Sequence, residues 1–570
     1  MQRRRRRRRP WVRMIGVIGM LVMLMVLLHT WVWSPLSARL VRPDTPLVVM
    51  GDTNRDGRLS RDDLRDRHTW SWTAGMLLLA NVDDDDGNGL ADAADTVVNG
   101  PADEQDLAIA TITLAPEQLS PSSELFVDVN LESRLAVNLF QRVGDQWQFL
   151  DLSRPVPLTL PPGAARLEEP IVLTLGLEAK QFAQTNWPGV ARLTVRLQDE
   201  KRRAIATDAI AMRVAPWLML PNSARTTDLY IGVGYYDNDQ MRSQLERILP
   251  PLGVTLHEYE SDNWQDMWTQ DMMEIGYQEI PGHPGMHVVL RANREDEQYP
   301  KTLLGPNVGY ITVGEPRNLN VADELADWFG NLEVTPPIKG FPLGRSYYGR
   351  NTKTGVEMHP MIVDFLRRQG VQTPLWFDTS WLLIKHVDEL ISFVPAPEGQ
   401  PYVLVHDMEA GIKLLQDLRS QGAGEEWIGE PPITVNEALQ TYSSISSRMQ
   451  RSVLDRIIRM VKQDLKIDED RIIRLPVVFT GLRNASTLWS NSVNSVFVNG
   501  TLILGDPHAP LVNGEDYVQW MIRQRLAQAR IRVEFVDDSP YQANHGNVHC
   551  ATNTKRQTLR PQFWSYLAPS

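Results

Sequence analysis

Hydrophobic and polar positions change period several times along the chain, and each change predicts a different kind of structure. Residues 14–33 are almost wholly apolar, broken only by His29 and Thr30. That run is long enough to span a bilayer and longer than most signal-peptide cores. Residues 34–44, with two prolines, read as a short tether. From about 107 to 215 the pattern turns to short alternating runs at 107–114, 125–129, 171–177, 192–197 and 207–214, bounded by turn residues. This is the signature of an antiparallel, immunoglobulin-like β-sandwich. The segment from Ala215-Pro216-Trp217 to Asn222 closes it and reads as a domain boundary. Beyond 222, strand-like runs at 229–233, 287–290, 402–406, 501–504 and 531–535 alternate with helical periodicity at 411–419 and 435–465. A mixed α/β region is predicted there. No internal repeat is visible.

The predicted organisation is an Arg-rich segment 1–13, a membrane anchor or signal peptide 14–33, a linker 34–44, a β-sandwich 45–215 and an α/β region 216–570. At 570 residues, two or three domains are expected. The net charge of −12 hides an asymmetry, because Arg3 to Arg9 and Arg13 sit ahead of the apolar run; without those eight it is −20. An acidic body argues against nucleic acid and suits a cationic substrate or bound cations. The arginines hold the N-terminus inside, so the bulk of the chain is expected to be exported, either anchored with its active part outside the cytoplasm or secreted.

Several constellations carry candidate chemistry. In the loop from Asp52 to Asp63, Asp52, Asn54 and Asp56 place oxygens at alternate positions with Gly57 at the sixth. A tight loop wraps a hard cation with that spacing. A second acidic run follows, with Asn81, Asp83, Asp84, Asp85, Asp86 and Asp92, then Asp95, Asp103 and Asp106. So many carboxylates repel one another unless a cation neutralises them, although a solvated acidic turn reads the same way. Trp268-Thr269-Gln270-Asp271 sets an acid in an apolar context, where it needs a partner. His386 and Asp388, two apart, would share a face if they lay in a strand. Cys550 is the one cysteine in the chain, so no internal disulfide uses it; it is either an inert small hydrophobe or a reactive thiol presented by a loop. Together these supply a thiol, an imidazole and two carboxylates, a set suited to nucleophilic attack on a cationic carbon.

The motifs Trp268-Thr269-Gln270-Asp271, Gly305 to Tyr310, Phe329 to Val334, Pro342-Leu343-Gly344-Arg345, His386-Val387-Asp388-Glu389 and His549 to Asn553 resemble the protein-arginine deiminases, in that family's order and over roughly residues 45–570. The resemblance implies a five-bladed α/β propeller of ββαβ modules for the C-terminal region. It implies Cys550 as nucleophile, His386 as general acid and then base, and Asp271 and Asp388 as guanidinium clamps. Trp268 would wall the substrate's aliphatic stem, and Arg294 would bind the peptide backbone of the substrate. Calcium is the implied cofactor. One catalytic-region site would use Gln270, Glu274 and Glu333 with the carbonyls of Phe329 and Leu332. A second is put in doubt by Met272 and Val289, which leave only Asn293 of its ligands. The family's calcium cluster in the preceding domain matches Asn81, Asp83, Asp85, Asp103 and Asp106.

The expected activity is calcium-dependent or calcium-stabilised hydrolysis of peptidyl arginine to peptidyl citrulline and ammonia through a thiouronium on Cys550. Partners would be proteins or peptides with accessible arginine, together with the membrane through the N-terminal segment. The oligomeric state is left open, a homodimer included. The alternatives are a deiminase of free arginine or agmatine, and a non-catalytic calcium-binding surface module.

Overall fold

The computed structural model describes residues 45–233, 237–260, 266–294, 298–558 and 562–567. The Arg-rich segment, the predicted anchor or signal and the linker therefore lie outside the described residues. Among those described, no helix is long and apolar enough to cross a membrane.

The alternating runs between 107 and 215 form strands, as their period of two requires. Two five-stranded sheets result. The first runs Leu47–Gly51, Ala108–Leu114, Ile171–Ala179, Val137–Val143, Gln146–Phe149, antiparallel throughout. The second runs Met76–Leu78, Ala204–Val214, Val190–Gln198, Glu124–Val129, Val156–Pro157, with a parallel pairing only at its first edge. Inward positions such as Ile112, Leu175, Val127, Leu193 and Val195 are completely buried and belong to one apolar core.

Residues 226–556 build five three-stranded sheets of one design. Each central strand pairs antiparallel with one neighbour and parallel with the other. The central strands are Thr226–Val233, Met286–Arg291, Ser346–Arg350, Tyr402–Asp407 and Thr501–Gly505. Each parallel partner is reached through a helical crossover, as parallel strands need. In four sheets the antiparallel neighbour immediately precedes the central strand. In the sheet around Thr226–Val233 it is Thr552–Arg556, from the far end of the chain. The predicted 435–465 stretch is helical over Val435–Met449 and Asp455–Asp464, joined by a π-helical turn at Gln450–Leu454.

The predicted boundary near 215 is not a break in packing. Trp217 is buried in the same core as the two five-stranded sheets and packs its ring 5.7 Å from Phe365. Its indole N–H donates to Val288 O at 3.1 Å and its peptide N–H to Gln369 Oε1 at 3.0 Å. Trp217→Ala should therefore cost about 3–5 kcal/mol, read as a lower denaturant midpoint for the whole chain.

Candidate active site

Each of the five small sheets delivers residues to one place from the segment just before its antiparallel outer strand. Asp271 lies in the short helix Thr269–Met272, before Met273–Gln278. Gly330 precedes Leu332–Val334, and Asp388 precedes Ile391–Val394. Asn494 precedes Val496–Val498, and Cys550 precedes Thr552–Arg556. Two expectations of local structure change. His386 lies in irregular backbone and Asp388 in the turn that follows it, not in a strand, and Cys550 sits in the short helix Val548–Ala551 rather than a loop. In both cases the neighbouring side chains tie down the backbone: Glu389 Oε1 accepts the His386 N–H at 3.1 Å, and Asn547, ahead of the cysteine, bonds Asp538 and Gln542.

The catalytic candidates come together and are buried. Gly330 donates its N–H to Asp271 Oδ1 at 3.0 Å, and its carbonyl accepts from the Asp388 N–H at 3.2 Å. A Cβ on Gly330 would stand 2.6 Å from His386 Nδ1, 2.7 Å from Asp271 Oδ1 and 3.3 Å from Asp388 Oδ2. The missing side chain thus leaves the space on which the imidazole and both acids converge. His386 Nε2 lies 2.8 Å from Leu325 O, which only accepts, so the proton resides there and Nδ1 faces Asp271 at 3.4 Å. The Cys550 thiol donates to Asp388 Oδ2 at 3.4 Å, and Asn494 Nδ2 donates to the sulfur at 3.1 Å.

Electrostatics follow from burying like charges together. Burial, then the charges of Asp388 and Asp271, push the Cys550 thiol well up. Burial likewise raises Asp271, opposed by His386 and Arg294. Burial and Glu333 push Glu274 up to about 8. Burial takes Glu333 up to about 7, and Asp388 adds to it. His549 is the counterweight. Burial would depress its imidazole, but Glu333, Asp388 and Glu274 outweigh it and raise it to about 9.

Trp268 is half-buried, edge-on to Tyr541 at 5.7 Å. Arg294 pairs with Asp266 and lies 4.0 Å over the Trp328 ring, which in turn stands 6.4 Å from His386. Sequence reasoning missed Asn494 and Trp328 and gave no role to Gly330 or His549; these two carried a signal, Gly330 inside the motif Phe329 to Val334 and His549 beside the thiol.

Among the described residues, a group near Asp271 and an acidic cluster around Asp83 could hold a metal ion, and Asp84, Asp86 and Asp92 form a further acidic group beside the latter. Near Asp271, Gln270 Nε2 is 3.2 Å from Glu274 Oε2 and 3.4 Å from Phe329 O, so an amide and two oxygens converge; rotating the amide would turn its oxygen inward. Asp388 Oδ1 and Glu333 Oε1 are buried without a hydrogen bond. In the second group, Asp83, Asp85, Asp92 and Asp106 bring carboxylate oxygens within 4.8 Å of one another, and each keeps a buried oxygen without a partner, as does Asn81. Asp92 was not among the predicted ligands. Asp103 instead accepts from Asn81 Nδ2 at 3.1 Å and from the Asn99 N–H at 2.6 Å. The loop at Asp52 differs: Asp52 accepts the N–H groups of Asp56 and Gly57, Asn54 accepts that of Asp56, and Asp56 accepts that of Arg58. Asp52, Asn54 and Asp56 thus spend oxygens on turning the chain. Met272 and Val289 are packed in an apolar cluster with Tyr230 and Tyr259, where a second catalytic-region cation was doubtful.

A family model described as "Protein-arginine deiminase (PAD)" matches residues 204–565. The chain is 28% identical to protein-arginine deiminase type-4 of Homo sapiens over 578 aligned positions, covering 93% of this chain and 84% of that protein. It is 29% identical to the human type-3 protein, over 90% of this chain and 81% of that one. Among solved structures, the agmatine deiminase of C. jejuni matches 60% of this chain and 97% of its own at 11% identity and a TM-score of 0.36, a likeness too loose to argue from. For the acidic cluster, Asp92→Asn should weaken divalent-ion binding at least about tenfold, measured by terbium luminescence titration.

Proposed function

We propose that this chain, which belongs to the protein-arginine deiminase family, hydrolyses peptidyl arginine to peptidyl citrulline and ammonia. The convergence of Asp271, His386 and Asp388 on the space over Gly330, with the Cys550 thiol against Asp388, supports that chemistry.

A guanidinium is planar and offers a fork of N–H donors, so carboxylates on two edges can grip it bidentately. Asp271 and Asp388 would take that role and aim the central carbon at sulfur. Burial, together with the same two carboxylates, raises the thiol, and an arriving cation would offset the carboxylates, favouring the thiolate. The thiol gives up its proton to His386 at Nδ1, and sulfur adds to the carbon. His386, through Nδ1, protonates the departing nitrogen, which leaves as ammonia, and an S-alkylthiouronium remains on Cys550. His386 next takes a proton from water, whose oxygen adds to the carbon. The C–S bond breaks, releasing citrulline and the thiolate. Arg294 would hold the substrate's peptide backbone, with Trp268 along the aliphatic stem.

Calcium would be held by Gln270, Glu274 and Glu333 with the carbonyls of Phe329 and Leu332, and in the acidic cluster by Asn81, Asp83, Asp85, Asp92 and Asp106. Asp103 would support that cluster, and Asp52, Asn54 and Asp56 would add a further site. Bound there, the ion supplies positive charge that lets these carboxylates ionise while buried. The sheets of residues 45–215 would form an immunoglobulin-like domain, and the five small sheets of 216–570 a closed propeller. The apolar run 14–33 supports anchoring, or export with removal of that run.

Citrulline release from an N-acylated arginine amide tests the activity, and Cys550→Ser should abolish it. Gly330→Ala should lower turnover about 100-fold with the circular dichroism unchanged. Arg294→Ala should reduce kcat/KM for the acylated amide and leave free arginine unaffected; an enzyme that prefers free arginine would overturn the peptidyl reading.

The metal sites carry a pH signature. Burial first, then neighbouring acids, takes Asp83, Asp92 and Asp106 up to about 8 in the ion-free protein. Unfolded, they titrate near about 4, so the folded chain binds more protons between those values and loses stability as pH rises through the window. Calcium removes that loss. The gap in Tm between calcium-loaded and chelated protein should widen from about pH 4 to pH 8.

A further inference from the structure

Beside the nucleophile, His549 makes a bridge that the reaction does not use. Its Nδ1 bonds Asp388 Oδ2 at 2.9 Å, while Nε2 stands 3.1 Å from Glu333 Oε1, an ion-pair contact off the hydrogen-bond axis. Asp388 faces the substrate space, and Glu333 belongs to the candidate metal site. One ring therefore touches both sites at once.

The backbone on either side of that ring is pinned. Asn494 Oδ1 accepts the N–H of His549 at 3.1 Å and of Cys550 at 3.2 Å, while its amide nitrogen holds the sulfur. With main chain and thiol fixed, the freedom left at this point is rotation of the imidazole. Asp388 Oδ2 already receives both the ring and the thiol, and Oδ1 is buried without a partner. A carboxylate so engaged cannot present two free oxygens to a guanidinium fork, and bidentate grip needs both.

We propose that His549 is a positioning residue that latches Asp388 in a closed arrangement, and that a cation taking Glu333 from the ring releases it. The proposal rests on the deiminase reading above and names the contact through which that metal site governs that clamp. Ring and cation compete for the same Glu333 oxygen. Their coupling is reciprocal: whatever the latch costs the cation in affinity, the cation costs the latch. The ring also lends positive charge to Glu333 and Asp388, so a chain without it should bind the cation more tightly on both counts.

The test is binding rather than turnover, in the full chain carrying Cys550→Ala. Calcium affinity is measured by isothermal titration calorimetry, with Glu333→Gln identifying the heat of the catalytic-region site. Affinity for an N-acylated arginine amide is measured with calcium and with chelator. Adding His549→Ala should tighten calcium at that site about tenfold. It should also allow the arginine amide to bind in chelator about tenfold more tightly, with its affinity in saturating calcium unchanged. His549→Gln, which can reach one carboxylate but not both, should show the same direction, and either variant suffices if the other fails to fold. Calcium binding that weakens or stays the same in a folded variant, or arginine-amide binding that still requires calcium, overturns the latch. If the Cys550→Ala chain binds no arginine amide at any calcium concentration, the deiminase reading itself falls.

Discussion

Buried negative charge without an equal buried positive charge is the constraint that organises this molecule. Asp271, Asp388, Glu274 and Glu333 lie together at the point where the small sheets meet, and His386, Arg294, Arg556 and His549 offset their charge only in part. Taking ionised carboxylates out of water costs several kcal/mol each unless something repays it. A guanidinium and a divalent ion are two ways of meeting one electrostatic need, which is why substrate chemistry and metal chemistry crowd into adjoining side chains. The acidic cluster at Asp83 has the same character, and it is tied to the small sheets by His283 Nε2 on Asp106 and by the Asn307 N–H on Asp83.

Holding such a cluster in place requires a stiff support, and repetition of one sheet design supplies it. The contributing residues stand directly ahead of outer strands whose own residues are largely buried, so short rigid segments rather than long loops set their positions. Gly330 contributes by lacking a side chain, and Asn494 by fixing the peptide groups around the sulfur.

How much of this the sequence discloses depends on the kind of signal. Strands with strict alternation, such as Val190–Gln198, are legible because burial on one face imposes a period of two. Asp271, His386, Asp388 and Cys550, which the structure brings together, stand in short motifs whose order matched a family. What stayed hidden was relational. Asn494 lies among serines and asparagines in a segment with no period, and its importance comes from a thiol 56 positions away. Asp92 keeps one buried oxygen without a partner while both oxygens of Asp103 accept, from Asn81 and from the Asn99 N–H, and spacing does not encode that. The turn at Asp388 and the helical turn at Cys550 are too short to carry a periodic signal.

The strand that closes the sheet around Thr226–Val233 follows Cys550 directly and comes after every other group in the site. During synthesis the ribosome therefore delivers the sulfur and the closing strand together, once Asp271, His386 and Asp388 have long emerged. A nascent chain that stops short of Cys550 would hold the acidic hollow with an unpaired sheet edge and without the thiol.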